Sequence, residues 1–186
     1  MDNKIILRNG DLISLSEWQQ IHGVPEGKLS EHFSISEYKI GEFQPFQYSE
    51  LLINLYELFR LKIGKPVIAN SAFRTREKQL ELIRKGFRAA TWSPHELGFA
   101  FDHNTTSWKE TCAHAAIMLQ IAKEMELKIR IGYKQYWNDL QVLIKAGKAT
   151  EKQCFMHTDV CPMYFGKGMP WHEKDHPKQW ETAMTW

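Results

Sequence analysis

One stretch, Ser93-Pro-His-Glu-Leu-Gly-Phe-Ala-Phe-Asp102, constrains this chain more than any other. It puts an imidazole, His95, and a carboxylate, Asp102, in one short segment. Taken as a strand from Gly98, side chains alternate between faces. Gly98, Ala100 and Asp102 then share one face, and Phe99 and Phe101 the other. The apolar face can pack on a core. The opposite face carries almost no bulk beside a histidine and an aspartate, which leaves room for a metal ion and its water.

A second segment, Phe155-Met-His-Thr-Asp-Val160, alternates in the same way. His157 and Asp159 fall on one face, and Met156, Thr158 and Val160 on the other. If the two strands are neighbours, His95, Asp102 and His157 converge. Two imidazoles, one carboxylate and an open fourth position make the ligand set of a catalytic zinc site. A structural site is more often closed by four protein ligands and richer in cysteine. Taken singly, His157 would be an ordinary hydrogen-bonded strand histidine, and the weight lies in the combination.

Ser93-x-His95-x-x-Gly98-x-Ala100-x-Asp102, followed by Phe155-x-His157-x-Asp159, resembles the signature of the M15 zinc peptidases. This is the D-Ala-D-Ala carboxypeptidase and peptidoglycan endopeptidase group that shares its fold with the Hedgehog signalling domain. The small single-domain branch of bacteria and phages is the best match, over about His32 to Val160. The resemblance implies an α+β domain with a small, mainly antiparallel sheet flanked by helices and zinc in a cleft on one sheet face. It implies Zn2+ held by His95, Asp102 and His157, and a peptidoglycan peptide as substrate. Ser71-Ala-Phe-Arg-Thr75 looks like the family's Ser-Gly-Tyr-Arg-Ser/Thr element, with Ala72 and Phe73 as departures. Its Arg74 would lie in the cleft, where a fixed, permanently charged fork suits a substrate carboxylate. Ser93 would support the site by hydrogen bonding. Tyr133 or Tyr136 would rim the cleft. Glu31 to Tyr38 resembles the family's lead-in, with His32 read as a surface residue.

The family's acid/base carboxylate lies three residues before the last histidine, where this chain has Cys154. A thiol is a poor substitute unless its pKa is lowered. Glu151 is the nearest carboxylate upstream and is expected to reach in from a loop. Asp159, on the strand face of His157, either moves the proton or orients a ligand, and the second role suits it better. His103 points to the other strand face.

The rest of the chain reads as one domain. Its 186 residues suffice for a core. A net charge of +2 without a long Lys/Arg run argues against nucleic acid. No stretch approaches a transmembrane span. Three cysteines, Cys112, Cys154 and Cys161, with no CxxC, suggest reduced thiols. Met1 to Gly10 lacks an apolar leader, so synthesis in the cytoplasm is expected, with action on the cell wall after release or export. A monomer is expected. Residues 1–30 read as an N-terminal extension with a short helix from Leu12 to Ile21, 31–163 as the domain, and 164–186 as an aromatic tail packing back on it.

Within the domain, Leu51, Leu52, Leu55, Leu58 and Phe59 recur at helical spacing from Ser49 to Lys62. Pro66 to Asn70 reads as a strand. Thr75 caps a helix to Lys85, with Leu80, Ile83 and Phe87 on one side. Ser107-Trp-Lys-Glu110 opens a helix to about Leu127. Its expected apolar face is Cys112, Ala115, Ala116, Leu119, Ala122 and Met125, with His114 exposed. Lys128 to Tyr133 alternates as a strand, and Asn138 to Ala146 reads as a short helix. The function expected is zinc-dependent hydrolysis of amide bonds next to D-amino acids in peptidoglycan peptides. The alternative is a zinc-binding but inactive cell-wall-binding or structural domain.

Overall fold

Two small sheets organise the chain in the computed structural model, which describes residues 3–38, 45–86 and 89–165. A hairpin opens it. β1 (Lys4–Ile6) pairs antiparallel with β2 (Leu12–Ser14). Ser14 then caps α1 (Leu15–His22), its hydroxyl accepting the Glu17 N–H, one of the donors a helix start leaves unpaired. The helix expected from Leu12 therefore starts three residues later, after a strand. Trp18 is buried, and its indole N–H donates to the Leu29 carbonyl at 2.9 Å. A single turn, α2 (Ile35–Tyr38), follows. β3 (Gln47–Ser49) lies parallel to β1 and completes a sheet in the order β2-β1-β3.

Ser49 caps α3 (Glu50–Ile63), accepting from the Leu51 and Leu52 N–H groups. Leu51, Leu52, Leu55, Tyr56 and Phe59 are buried, whereas Leu58 is 43% exposed, so Tyr56 takes the core place expected for Leu58. β4 (Ala69–Ser71) lies three residues beyond the start of the expected strand, because Pro66 and Val67 run outside the ladder. Thr75 caps α4 (Arg76–Arg84) as expected. Leu80 is 39% exposed and Gln79 is the buried residue of that helix; Phe87 lies outside the described residues. A 3-10 turn, Pro94–Leu97, leads into β5 (Ala100–Asn104). After α5 (Trp108–Glu124) come β6 (Arg130–Gly132), α6 (Lys134–Lys145), a second 3-10 turn (Glu151–Gln153), β7 (Phe155–Asp159) and α7 (Cys161–Phe165).

The second sheet has the order β4-β5-β7-β6, with every neighbouring pair antiparallel. The architecture is thus α+β and mainly antiparallel, the β1/β3 pair being parallel. α3 and α5 cover one face of this sheet. On that face Tyr56 packs on Phe101 with ring centroids 4.3 Å apart, and Phe59 on His103 at 5.2 Å.

α5 presents a different stripe from the one expected. Thr111, His114, Ala115, Met118, Ile121 and Ala122 are buried, and Ala116 is exposed. His114 is therefore a core residue. Its Nδ1 meets His103 Nε2 at 3.0 Å, and His103 Nδ1 meets the Tyr56 hydroxyl at 3.1 Å. This polar chain satisfies the imidazoles where an exposed His114 was expected.

Gly98 also departs from expectation. It closes the 3-10 turn at φ 72 and precedes the strand. A Cβ there would stand 1.9 Å from the Gln47 carbonyl oxygen. The close approach lets Ser49 N–H donate to the Gly98 carbonyl at 3.0 Å, tying β3 to the turn that bears His95. Of the C-terminal aromatic tail, Tyr164 and Phe165 are described. Tyr164 stacks on Phe99 at 4.4 Å and its hydroxyl lies 2.8 Å from Ser49 Oγ. Among the described residues no helix is long and apolar enough to cross a membrane.

Candidate metal centre

The ladder between β5 and β7 sets Asp102 opposite His157 and Ala100 opposite Asp159. β6 continues the row, with Gly132 opposite His157 and Arg130 opposite Asp159. Phe101, His103, Met156 and Thr158 turn to the helices, so Asp102, His157 and Asp159 share the other face. Ala100 and Gly132 keep that face low. His95 comes from the 3-10 turn. Ser93 Oγ accepts the His95 N–H at 3.4 Å, while Glu96 accepts the Ser93 N–H at 2.8 Å, a capping box wound on a single turn. Arg76 braces it through the Glu96 carboxylate at 3.3 Å.

His95, Asp102 and His157 are all buried, and one donor atom of each lies within 4.8 Å of the other two. His95 Nε2 is 3.3 Å from Asp102 Oδ2, and His157 Nδ1 is 2.7 Å from Asp102 Oδ1. The outer nitrogens are also committed. His95 Nδ1 donates to the Ala72 carbonyl at 2.6 Å, which leaves a lone pair on Nε2 when the ring is neutral. Burial, outweighing the pull of Asp102, lowers the His95 pKa and keeps that ring neutral. The Nε2 lone pair then faces a carboxylate oxygen at 3.3 Å, a repulsion that a proton or a metal cation between them relieves.

His157 sits between two carboxylates. Its Nε2 is 3.2 Å from Asp159 Oδ2, opposite the Asp102 contact. Burial disfavours its charge, but Asp102 and Asp159 outweigh it and raise the pKa to about 9. Burial would raise the Asp102 pKa, but positive charge on the neighbouring imidazoles holds it far below the usual carboxylate range, and with His95 neutral that charge is the His157 imidazolium at 2.7 Å. Asp159 is fully buried and takes both Arg130 Nε, at 2.9 Å, and Arg130 Nη2, at 2.8 Å. It also accepts the Cys161 N–H at 3.1 Å. Burial would raise its pKa, and Arg130, then His157, hold it low.

This donor set fits a divalent, borderline-soft cation such as zinc: two imidazoles and one carboxylate converge, each imidazole oriented through its second nitrogen. His95 would offer Nε2 and His157 Nδ1. An ion there would replace the proton that the acidic surroundings otherwise hold on His157.

The other residues singled out in the sequence fall as follows. Arg74 donates to Gln79 Oε1 at 2.7 Å and Ser71 Oγ at 2.8 Å, and its N–H to the His95 carbonyl at 3.1 Å. Burial lowers its pKa, opposed by Asp102. Tyr136 stacks on Phe155, centroids 4.3 Å apart. Tyr133 packs on Trp108 at 5.5 Å. Glu151 is exposed on the turn before β7, so the reach into the site expected of it is absent from this arrangement. Cys154 is buried and interacts with Thr111 of α5, on the side away from His157. Burial, then the Glu151 charge, raises its thiol pKa. His32 is part-buried and bonded to Glu57, which also accepts from Ser30 Oγ at 2.6 Å.

Arg130 went unrecognised in the sequence. Its signal was a cation alternating with Ile129 and Ile131, two residues after Lys128.

No family model matches the chain, and no curated protein does. Among solved structures it is similar to the L-Ala D-Glu endopeptidase ChiX of Serratia marcescens, with 18% identity and a TM-score of 0.39 over 57% of this chain and 77% of that one. A likeness of that size supports neither a fold assignment nor a function.

Proposed function

We propose that the chain is a zinc-dependent peptidase of the M15 type, acting on amide bonds next to D-amino acids in peptidoglycan peptides. The observation that carries it is the buried His95, Asp102 and His157 group, with a lone pair facing a carboxylate across 3.3 Å. The motif resemblance supplies the substrate class. When bound, zinc would supply Lewis acidity and a water acidified towards neutrality. The protein's own part is positioning. Ser93 caps the turn at the His95 backbone N–H, Ala72 orients the His95 ring, and Arg130 fixes Asp159, which fixes His157. Arg74 is held as a cation at the edge of the group, with two side-chain donors engaged and the rest of its fork left for a substrate carboxylate. The protein would act on the wall after release or export, as a monomer.

A second reading is favoured by Cys154. With a buried thiol facing α5 where the family has its acid/base carboxylate, the chain would bind zinc and wall peptides without turnover. Metal content of wild type and His157→Ala, followed by a muropeptide digest, tests both. About one zinc per chain, lost in the variant, with cleavage of a D-Ala-containing muropeptide, is the expected result. Zinc without cleavage selects the second reading. Wild type that takes up no zinc overturns both.

A further inference from the structure

Tyr136 stands out among the side chains around the triad. It lies on α6 and its ring packs on Phe155 at 4.3 Å, with planes inclined by 36°. Phe155, His157 and Asp159 share one face of β7, so α6 holds the Tyr136 ring over the strand face that carries the candidate ligand. Its electrostatic neighbours come from three elements: Asp102 of β5, Arg74 beyond β4 and Asp159 of β7, together with Asp139 of α6 itself. The residue is half-buried, so part of its surface is open to a bound peptide. Arg74 is the cation among these neighbours.

We propose that Tyr136 is a catalytic residue: its hydroxyl donates a hydrogen bond to the substrate oxygen that becomes negative as water adds to the scissile carbonyl. The inference rests on the peptidase reading above. In that reaction the water oxygen bonds to the carbonyl carbon, the C–N bond breaks, and one water proton leaves on the amine. Tyr136 keeps its own proton throughout. Burial, with Asp102 and Asp159 nearby, disfavours the phenolate and keeps the group a donor. A neutral donor aimed at developing charge acts in the transition state more than in the ground state. Arg74, already braced by Ser71 and Gln79, is then free to hold the substrate's carboxylate while Tyr136 meets the reacting oxygen.

The test is Tyr136→Phe in the zinc-loaded protein. The substitution keeps the ring on Phe155 and removes only the hydroxyl, so zinc content and melting temperature should match wild type. The kcat on a D-Ala-containing muropeptide should fall about 100-fold with KM nearly unchanged. A phosphinate pseudopeptide, which mimics the tetrahedral oxyanion, should bind more weakly by a similar factor in calorimetry, while the product peptide binds equally. Wild type that cleaves and binds phosphinate, with the variant matching it in both, overturns the role of Tyr136 alone. Wild type that takes up zinc but neither cleaves nor binds phosphinate overturns the peptidase reading on which the role depends.

Discussion

Replacing Asp159 separates what this residue does for the fold from what it does for the metal group. In Asp159→Asn the shape is kept and the charge is lost. Arg130, 2% exposed, then loses the carboxylate that its Nε and Nη2 meet. Removing one partner of a buried pair costs about 3–5 kcal/mol. For a chain of this length that lowers Tm by roughly 6–20 °C. The second effect is on His157, whose Nε2 now 3.2 Å from a carboxylate would face a neutral amide. Loss of such a partner weakens metal binding by about 10–100-fold. The double variant Arg130→Met/Asp159→Leu separates the two effects. Replacing both charges by apolar groups of similar volume is often neutral for stability, so its urea midpoint should return towards wild type. Its zinc affinity should not return, because the carboxylate beside His157 Nε2 is still missing. Urea unfolding of the metal-free proteins and zinc competition against a chromophoric chelator give the two numbers. A double variant with wild-type zinc affinity would refute the reasoning and leave Asp159 as a residue of the fold alone.

Other perturbations bear on separate parts of the structure. Arg74→Lys gives up the fork that meets Gln79 and Ser71; zinc content should hold while KM for a substrate with a free carboxylate rises, and an unchanged KM would remove Arg74 from substrate binding. Gly98→Ala meets the Gln47 carbonyl at 1.9 Å in a left-handed backbone; it should cost more than the roughly 1–2 kcal/mol of that conformation alone, read as a lowered Tm, and a melt equal to wild type would contradict the close approach of β3 to the turn. His103 is buried and neutral: burial, then His114, lowers its pKa from 6.5 to about 3. A histidine with a depressed folded pKa takes up its proton mainly on unfolding, so its contribution is intact above about pH 6.5 and is lost as pH falls towards 3. In His103→Phe the pH dependence of the urea midpoint over that window should flatten, while Tyr56 keeps its bond to the Phe101 carbonyl, 3.2 Å.

The two strands of the site were legible because alternation is a local rule. His157 and Asp159 share a face in any β conformation, and so do Ala100 and Asp102. That those faces coincide in space needed the β5/β7 register, which no local pattern supplies. Helix α5 shows the opposite case. Its sequence offers two overlapping apolar stripes, and small alanines fit either. The stripe chosen was the one His103 made available: an imidazole on the inner face of β5 needs a partner, and His114 turns inward to provide it. Arg130 was hidden for a similar reason, since a cation in a short strand reads as solvent-facing until its carboxylate is known to lie across the ladder. Alternation alone puts Gly98 on a strand face as a small residue; its positive φ and its contact with β3 depend on a segment about fifty positions earlier.

Cys154 raises a sharper question, because the family resemblance invites a simple repair. Writing the missing carboxylate back as Cys154→Glu should not produce a better enzyme. Residue 154 has its thiol at Thr111 of α5, and its carbonyl accepts the Thr105 N–H at 2.9 Å. The site is 5% exposed and on the helix side of the strand. A glutamate there would either be buried without a cation or force the start of β7 away from β5. An uncompensated buried charge costs about 3–5 kcal/mol, so the variant should melt well below wild type and gain no turnover. Should Cys154→Glu fold normally and cleave faster, the side chain at 154 would have to swing to the His157 face, and the strand phase argued from Asp102, His157 and Asp159 would be wrong at its first residue. Should it fail as expected, proton transfer has to be sought elsewhere. Glu151→Gln then decides between the two functional readings: a zinc-loaded wild type with turnover that this change abolishes would require the exposed turn at Glu151–Gln153 to fold inward over a bound peptide.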